Sequence, residues 1–281
     1  MIDSHAHLNW DAYDDDRDQV VSRSLEAGIE AFIHPGVHVG DFGGLRNLKS
    51  LYPGLHIAVG VHPCHADEWD DKTENYFEGA LDQAIAIGET GLDYYHQESS
   101  PELQEKVFRK QCQIAKRASL PLIIHCREAG ATAHSSREAG ATAHSSREAG
   151  AIVDRLHYRD AFEDTLRILR EEEARGGVMH CYTGTAEYAA KFWELGFYIA
   201  FGGAITFKNS QILRAEAQKI PLNQIILETD CPFLAPQKYR GKRNEPSFMT
   251  EVCSTLADLK EISYEELDEL TTTNTKRLFG I

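Results

Sequence analysis

The sequence predicts a single (β/α)8 barrel, and three observations carry that prediction. Eight short apolar runs punctuate the chain, most of them followed by an amphipathic, helix-like stretch. The runs are almost continuously hydrophobic, as in parallel strands covered on both faces. No GxGxxG or GxxxxGK[ST] loop follows any of them, which removes the usual nucleotide-binding reason for an open doubly wound sheet. The 281 residues suit one barrel domain spanning 1–281, since such a domain takes about 250 residues.

In chain order the predicted strands are 2–7, 31–36, 56–62, 84–90, 121–126, 177–182, 198–205 and 225–230. Between the first two, residues 13–27 carry Val20, Val21, Leu25 and Ala27 and stop at Gly28, a residue suited to ending a helix. The segment 101–118 opens on Pro101, which fits a first helical turn, and runs through Leu103, Val107, Phe108 and Ile114. Near the C-terminus, Ser263 and Glu266 form a capping-box pattern ahead of Leu267 and Leu270.

Hydrophobic residues make up 42% of the chain, enough for a sizeable core, and the 26% charged content is ordinary for a globular protein. The net charge of −15 argues against broad, sequence-blind adhesion to nucleic acid, yet leaves room for an enzyme that holds one phosphate beside metal ions. Cysteines at 64, 112, 126, 181, 231 and 253 form no CxxC pair, a pattern of reduced thiols. The chain starts on a strand-like segment without a basic or apolar leader, and no stretch approaches the roughly 18 apolar residues of a membrane span. A cytoplasmic protein is expected.

One segment breaks the pattern. Arg127–Ser136 (REAGATAHSS) repeats as Arg137–Ser146, and a third copy begins at Arg147. The resulting long connection, 129–159, is expected to be an inserted loop after the fifth strand. It reads as a tandem duplication tolerated at the surface, with a lid over the active face as the other reading.

The chemistry begins at Asp3-Ser4-His5-Ala6-His7. Side chains two apart on a strand share a face, so His5 and His7 point together. Glu89, His125, His180 and Asp230 each close a different apolar run. In (β/α)8 enzymes the C-terminal strand tips converge on the active site. Buried carboxylates and imidazoles are costly unless paired or metal-bound, so six such residues at converging tips point to a metal centre. The donor types suit Zn²⁺, Mn²⁺, Ni²⁺, Co²⁺ or Fe²⁺, and Mg²⁺ where carboxylate and water dominate. Six ligands exceed the need of one catalytic zinc. Two divalent ions are expected, with Glu89 as the natural bridge because its two oxygens can reach different metals.

At this point the sequence resembles a known family, the TatD-type metal-dependent deoxyribonucleases of the amidohydrolase-like superfamily. The matching stretches are DSHAHL (3–8), VGVHP (59–63), IGETGLDYY (87–95), PLIIHCRE (121–128), GVMHCYTG (177–184), ETDCPFLAP (228–236), RGKRNEP (240–246) and TNTKRLFGI (273–281). The resemblance runs end to end except across roughly 129–158. It implies that His5, His7, Glu89 and Asp230 hold one metal, and Glu89, His125 and His180 the other. It also implies that Asp230 is general base towards the activated water, and that His62, Arg127 and the Arg240–Arg243 stretch meet the substrate phosphate. The implied activity is hydrolysis of DNA phosphodiester bonds, as a 3′-exonuclease on single-stranded or end-bound DNA. No membrane and no obligate protein partner are implied.

The chain departs from the family where HCRE should run directly into the helix AFEDTLRIL. A second HxR[DE], His157-Tyr158-Arg159-Asp160, stands before that helix instead. His125 keeps the proper apolar run before it, whereas Arg127 and Arg159 compete as the phosphate contact. Two other functions stay open at this level. One is another amidohydrolase acting on an amide, a lactone or an aminoacyl ester, although that superfamily usually bridges its metals with a carboxylated lysine where this chain has Glu89. The other is a catalytically silent scaffold.

Overall fold

The structure is a computed structural model that describes residues 1–96, 98–129 and 159–281. Among the described residues, eight parallel strands pair in sequence order: β1 (Ile2–Asp3), β2 (Ala31–His34), β3 (Leu55–Val59), β4 (Ala84–Asp93), β5 (Leu122–Arg127), β6 (Gly177–Met179), β7 (Phe197–Phe201) and β8 (Ile225–Leu227). The ring closes where the Ser4 amide donates to the Leu227 carbonyl (3.1 Å) and the Asp230 amide donates to the His5 carbonyl (2.9 Å). The helices are α1 (Arg17–Glu26), α2 (Asp41–Leu51), α3 (Asp71–Glu78), α4 (Pro101–Ala118), α5 (Ala161–Glu171), α6 (Ala186–Glu194), α7 (Gln211–Lys219), α8 (Met249–Lys260) and α9 (Tyr264–Phe279). This is the (β/α)8 barrel that the apolar runs predict.

Alternation along the strands sorts the apolar residues into two layers. Ile2, Ile33, Ala58, Ala86, Ile123, Val178, Ala200 and Ile226 point inward, one or more from every strand, and fill the barrel. Their neighbours Phe32, Ile57, Ile124, Ile199 and Leu227 point outward into the larger core beneath the helices. The inner layer gives way to polar residues towards the C-terminal tips.

The predicted helices form, with instructive shifts at their ends. The helix expected over 13–27 begins at Arg17, because residues Asp11–Tyr13 make a separate 3-10 turn, and Gly28 ends it at φ 88°. Pro101 opens α4 and Ser263 caps α9 through the Glu266 amide (3.1 Å). The strands differ more. The first was expected over 2–7 but ends at Asp3, and the fourth was expected to end at 90 but runs to Asp93. Past Asp3 the chain bonds alternately to both neighbours, Ala6 N–H to Ile33 O (3.0 Å) and His7 N–H to Cys231 O (2.9 Å).

All six cysteines are free thiols, and no described helix is long and apolar enough to cross a membrane. The expected insertion 129–159, with His157, lies outside the described residues from 130 to 158. Its flanks stand close together, since the Glu128 carboxylate accepts the Phe162 amide at the start of α5 (3.3 Å).

Two buried glutamines on one face of α4 hold the strand tips that carry the site. Gln111 accepts the Val61 amide (2.9 Å) and donates to the Val61 carbonyl (3.0 Å) and to Thr90 Oγ1 (2.7 Å). One heptad earlier, Gln104 accepts the Asp93 amide (2.8 Å) and donates to the carbonyls of Asp93 and Ser99 (both 2.9 Å). Glycines let the same tips close up: a Cβ on Gly60 would stand 2.2 Å from the Gly88 carbonyl carbon, next to Glu89.

Gly60→Ala is therefore expected to push β3 away from the Gly88–Glu89 backbone and to destabilise the fold by about 1–3 kcal/mol or more. Urea unfolding checks this. A change below about 0.5 kcal/mol, the range of an ordinary surface substitution, would show that the approach is not tight.

Candidate metal centre

Above the inner apolar layer, the six residues singled out from the strand tips come together. His5 and His7 follow β1, Glu89 lies within β4, His125 within β5, His180 just beyond β6 and Asp230 beyond β8. His5, His7, Glu89 and His180 are buried, and His125 and Asp230 are half-buried.

Glu89 is the centre of the arrangement, and its two oxygens face different partners. Oε2 lies 3.2 Å from His5 Nε2 and 3.9 Å from His7 Nε2. Oε1 lies 3.0 Å from His125 Nδ1, 3.5 Å from His62 Nε2 and 3.6 Å from His180 Nε2. Asp230 Oδ1 stands 3.6 Å from His7 Nε2, 3.9 Å from His5 Nε2 and 4.0 Å from His180 Nε2. The His180 ring stacks on that of His5 at 3.5 Å between centroids.

The donor set fits divalent cations. His5 and His7 turn their Nε2 atoms towards each other at 3.1 Å, while both Nδ1 atoms are buried with no hydrogen-bond partner among the described residues. Two facing imidazole nitrogens are satisfied either by one shared proton or by both donating lone pairs to a cation. Nitrogen and carboxylate donors on either side of one glutamate favour the cation.

The electrostatics follow from burial opposed by partners. Burial would raise Glu89, but His5, His62, His180 and the His125 hydrogen bond hold its carboxyl well below the usual range. Burial would likewise raise Asp230, and the imidazoles of His7, His180 and His5 keep it low. Burial pulls His125 down, but hydrogen bonds to Asp93 and Glu89 outweigh it and lift the imidazole to about 9. His180 rises against burial to about 10 through Glu228 and Glu89. His62 goes the other way, to about 3, through burial and the neighbouring His125.

Three buried carboxylates that the sequence reading passed over support this centre. Asp93 Oδ2 sits 2.9 Å from His125 Nε2. Glu228 Oε2 sits 3.0 Å from His180 Nδ1 and its other oxygen accepts the Cys181 amide (2.7 Å). Asp3 accepts the amides of His5 (3.2 Å) and Thr229 (3.0 Å) and the Thr229 hydroxyl (2.6 Å), tying β1 to β8. A signal existed for two of them, since Asp3 and Glu228 stand two residues before His5 and Asp230.

The expected phosphate contacts separate. His62 points its Nε2 at Glu89 and packs 4.4 Å from the His125 ring, inside the imidazole cluster rather than out on the rim. Arg127 lies over the Tyr95 ring at 4.4 Å and Arg240 over Phe207 at 4.3 Å. Arg159 is drawn outward to α4, where it pairs with Glu102 and with Glu105 (2.6 Å). Arg243 is engaged by Asp16 (2.7 Å) and the Ala12 carbonyl (2.6 Å), so it serves the packing of α1.

The family model described as TatD related DNase matches residues 2–153 and 143–280, and the overlap begins in the second copy of the tandem repeat and ends two residues past the third, partial copy. An uncharacterized metal-dependent hydrolase of Bacillus subtilis, YabD, is 36% identical over 285 residues, covering 100% of this chain and 99% of its own. The 3′-5′ ssDNA/RNA exonuclease TatD of Escherichia fergusonii is 29% identical over 290 residues, covering 100% and 99%. Among solved structures, the TatD homologue YjjV of Escherichia coli superposes with a TM-score of 0.84 at 26% identity, covering 100% of this chain and 98% of its own.

Glu228→Gln and Asp93→Asn should each keep the fold but weaken divalent-metal retention about 10–100-fold, because each removes the charge that orients a histidine of the cluster. Competition against a chelator reads this directly. Parent-like retention in both variants would assign these carboxylates to the fold alone.

Proposed function

The chain belongs to the TatD-related DNase family, and we propose that it is a metal-dependent phosphodiesterase that removes nucleotides from the 3′ end of DNA, with residues 1–281 as one catalytic domain. The observation that carries this reading is the division of Glu89, one oxygen towards His5 and His7 and the other towards His125, His62 and His180. That is the disposition needed for one carboxylate to be shared by two cations.

In this reading His5, His7, Glu89 and Asp230 would hold one ion and Glu89, His125 and His180 the second, while His62 lies 3.5 Å from Glu89 Oε1. Divalent ions bound there would supply Lewis-acid polarisation of the phosphoryl oxygen and neutralise charge on the attacking and leaving oxygens. Asp230, kept anionic by its imidazole neighbours, takes the proton of the attacking water. Arg127, positioned over Tyr95, holds the phosphate, and Arg240 is a second contact. Arg159 is occupied by its carboxylate partners on α4 and takes no part. The choice of DNA rests on the family description and on the exonuclease name of the Escherichia fergusonii relative. With a net charge of −15, contact with a polyanion rests in this reading on the metal centre and these arginines rather than on a broad basic surface.

The test is metal-stripped protein, reconstituted with single cations and assayed on single- and double-stranded DNA labelled at either end, beside an amide, lactone and aminoacyl-ester panel. Release from the 3′ end supports the proposal, and turnover confined to the panel overturns it. Glu89→Ala should lower kcat by about 10³-fold or more, because both ions lose a ligand. Asp230→Asn should cut it by roughly 10²–10⁴-fold, and a parent-like rate and pH profile would remove Asp230 as base. Arg127→Ala should mainly raise KM while Arg159→Ala leaves it unchanged, and the reverse result would transfer the phosphate to Arg159.

A further inference from the structure

On the rim of the barrel, outside the central cluster, a second group of ligand-type side chains meets. His38 lies between β2 and α2, and His65 and Glu68 lie in the 3-10 segment Pro63–Glu68 that follows β3. One ring nitrogen or carboxylate oxygen from each falls within 4.8 Å of the others. From this we infer that His38, His65 and Glu68 form a separate, solvent-accessible site for one transition-metal ion of the Zn²⁺ or Cu²⁺ class.

An ordinary surface ion pair accounts for only half of the geometry. His38 Nδ1 sits 2.7 Å from Glu68 Oε1, a good hydrogen bond. His65 turns its Nδ1 to the same oxygen at 3.9 Å, too far to bond, while its ring lies 4.0 Å from that of His38. Two imidazoles therefore converge on one carboxylate oxygen that directly bonds only one of them. In a tetrahedral site with metal–ligand bonds of about 2.0–2.2 Å, neighbouring donors stand roughly 3.3 Å apart. The two histidine–glutamate spacings straddle that value and every pair of candidate donor atoms lies within 4.8 Å, so modest side-chain rotations would bring one donor from each residue onto one ion.

The Glu68 carboxylate and the backbones that carry the two histidines are already held from outside. The other Glu68 oxygen accepts the Val39 amide (3.1 Å). The His38 amide donates to Asp41 Oδ2 (2.8 Å) and the His65 amide to the His62 carbonyl (2.8 Å). An outer bond of the kind made by Glu68 orients a metal's ligand before the ion arrives. Two imidazoles and one carboxylate select borderline transition metals over Mg²⁺ and Ca²⁺, which prefer all-oxygen shells. The side chains are 45%, 29% and 34% exposed for His38, His65 and Glu68, so remaining coordination positions face solvent and the ion exchanges freely. The inference is independent of the reading of the central cluster, because none of these residues belongs to it.

The test compares full-length parent with His38→Gln/His65→Gln and with Glu68→Gln. Each protein is stripped of metal and dialysed against excess Zn²⁺, and bound zinc is counted by mass spectrometry. The parent should bind one more ion per chain than the double variant, with Glu68→Gln binding that ion at least tenfold more weakly. In Cu²⁺-loaded parent, electron paramagnetic resonance should show a nitrogen-coupled component that is absent from the double variant and persists in His5→Gln/His7→Gln. Equal stoichiometry and identical copper spectra in parent and double variant overturn the site. Should the His5→Gln/His7→Gln protein fail to fold, parent against rim variants still decides, since those side chains are half-buried or exposed and unchanged thermal midpoints certify their fold.

Discussion

A buried carboxylate surrounded by imidazoles is the constraint on which the rest of this molecule depends. Glu89 is 3% exposed and has five histidines within 4 Å, from β1, β3, β4's neighbour β5 and β6. An isolated carboxylate in such a place costs several kcal/mol, and partners must offset that cost from several directions at once. The fold is arranged to bring them in. Glycines at 60 and 88 let strand backbones close to distances that a Cβ forbids, and the Glu89 amide donates to the Gly36 carbonyl (2.8 Å). Gln104 and Gln111 of α4 then hold the neighbouring tips at fixed height.

Around that centre lies a shell of carboxylates that sets the histidines. Asp93 and Glu228 pull His125 and His180 upward in basicity, while burial pushes His5 and His62 downward. The same cluster thus contains imidazoles with opposed proton affinities. This is the pattern expected where the low-affinity members are free to offer lone pairs to a cation and the high-affinity members must exchange their protons for it. Asp3 does a different task, closing the barrel by joining the His5 amide to Thr229.

The arginines divide between the helical shell and the mouth of the barrel. Arg23, Arg159, Arg167 and Arg243 are each engaged by carboxylates in the helical shell. Arg127 and Arg240 instead lie over aromatic rings at the tip side of the barrel. Positive charge is thereby spent structurally on the outside and presented at the mouth. The His38–His65–Glu68 group adds a cation-binding element to the same rim.

The barrel and its six converging tip residues were legible in the sequence, because a strand's period of two and its length make apolar runs and their polar ends visible locally. The local pattern also located Pro101, Gly28 and Ser263 as helix boundaries. It misplaced the ends of β1 and β4, since those are decided by which neighbouring strand each amide finds. The inward turn of His62, the outward turn of Arg159 and the supporting roles of Asp93 and Glu228 were likewise not readable. Each depends on a partner distant in sequence, Glu89 for His62, Glu105 for Arg159, His125 for Asp93 and His180 for Glu228. The sequence by itself determined which side chains stand at the tips. Only the closed barrel decided which of them touch, because hydrogen bonds and charge pairing act across space between segments that the chain order does not relate.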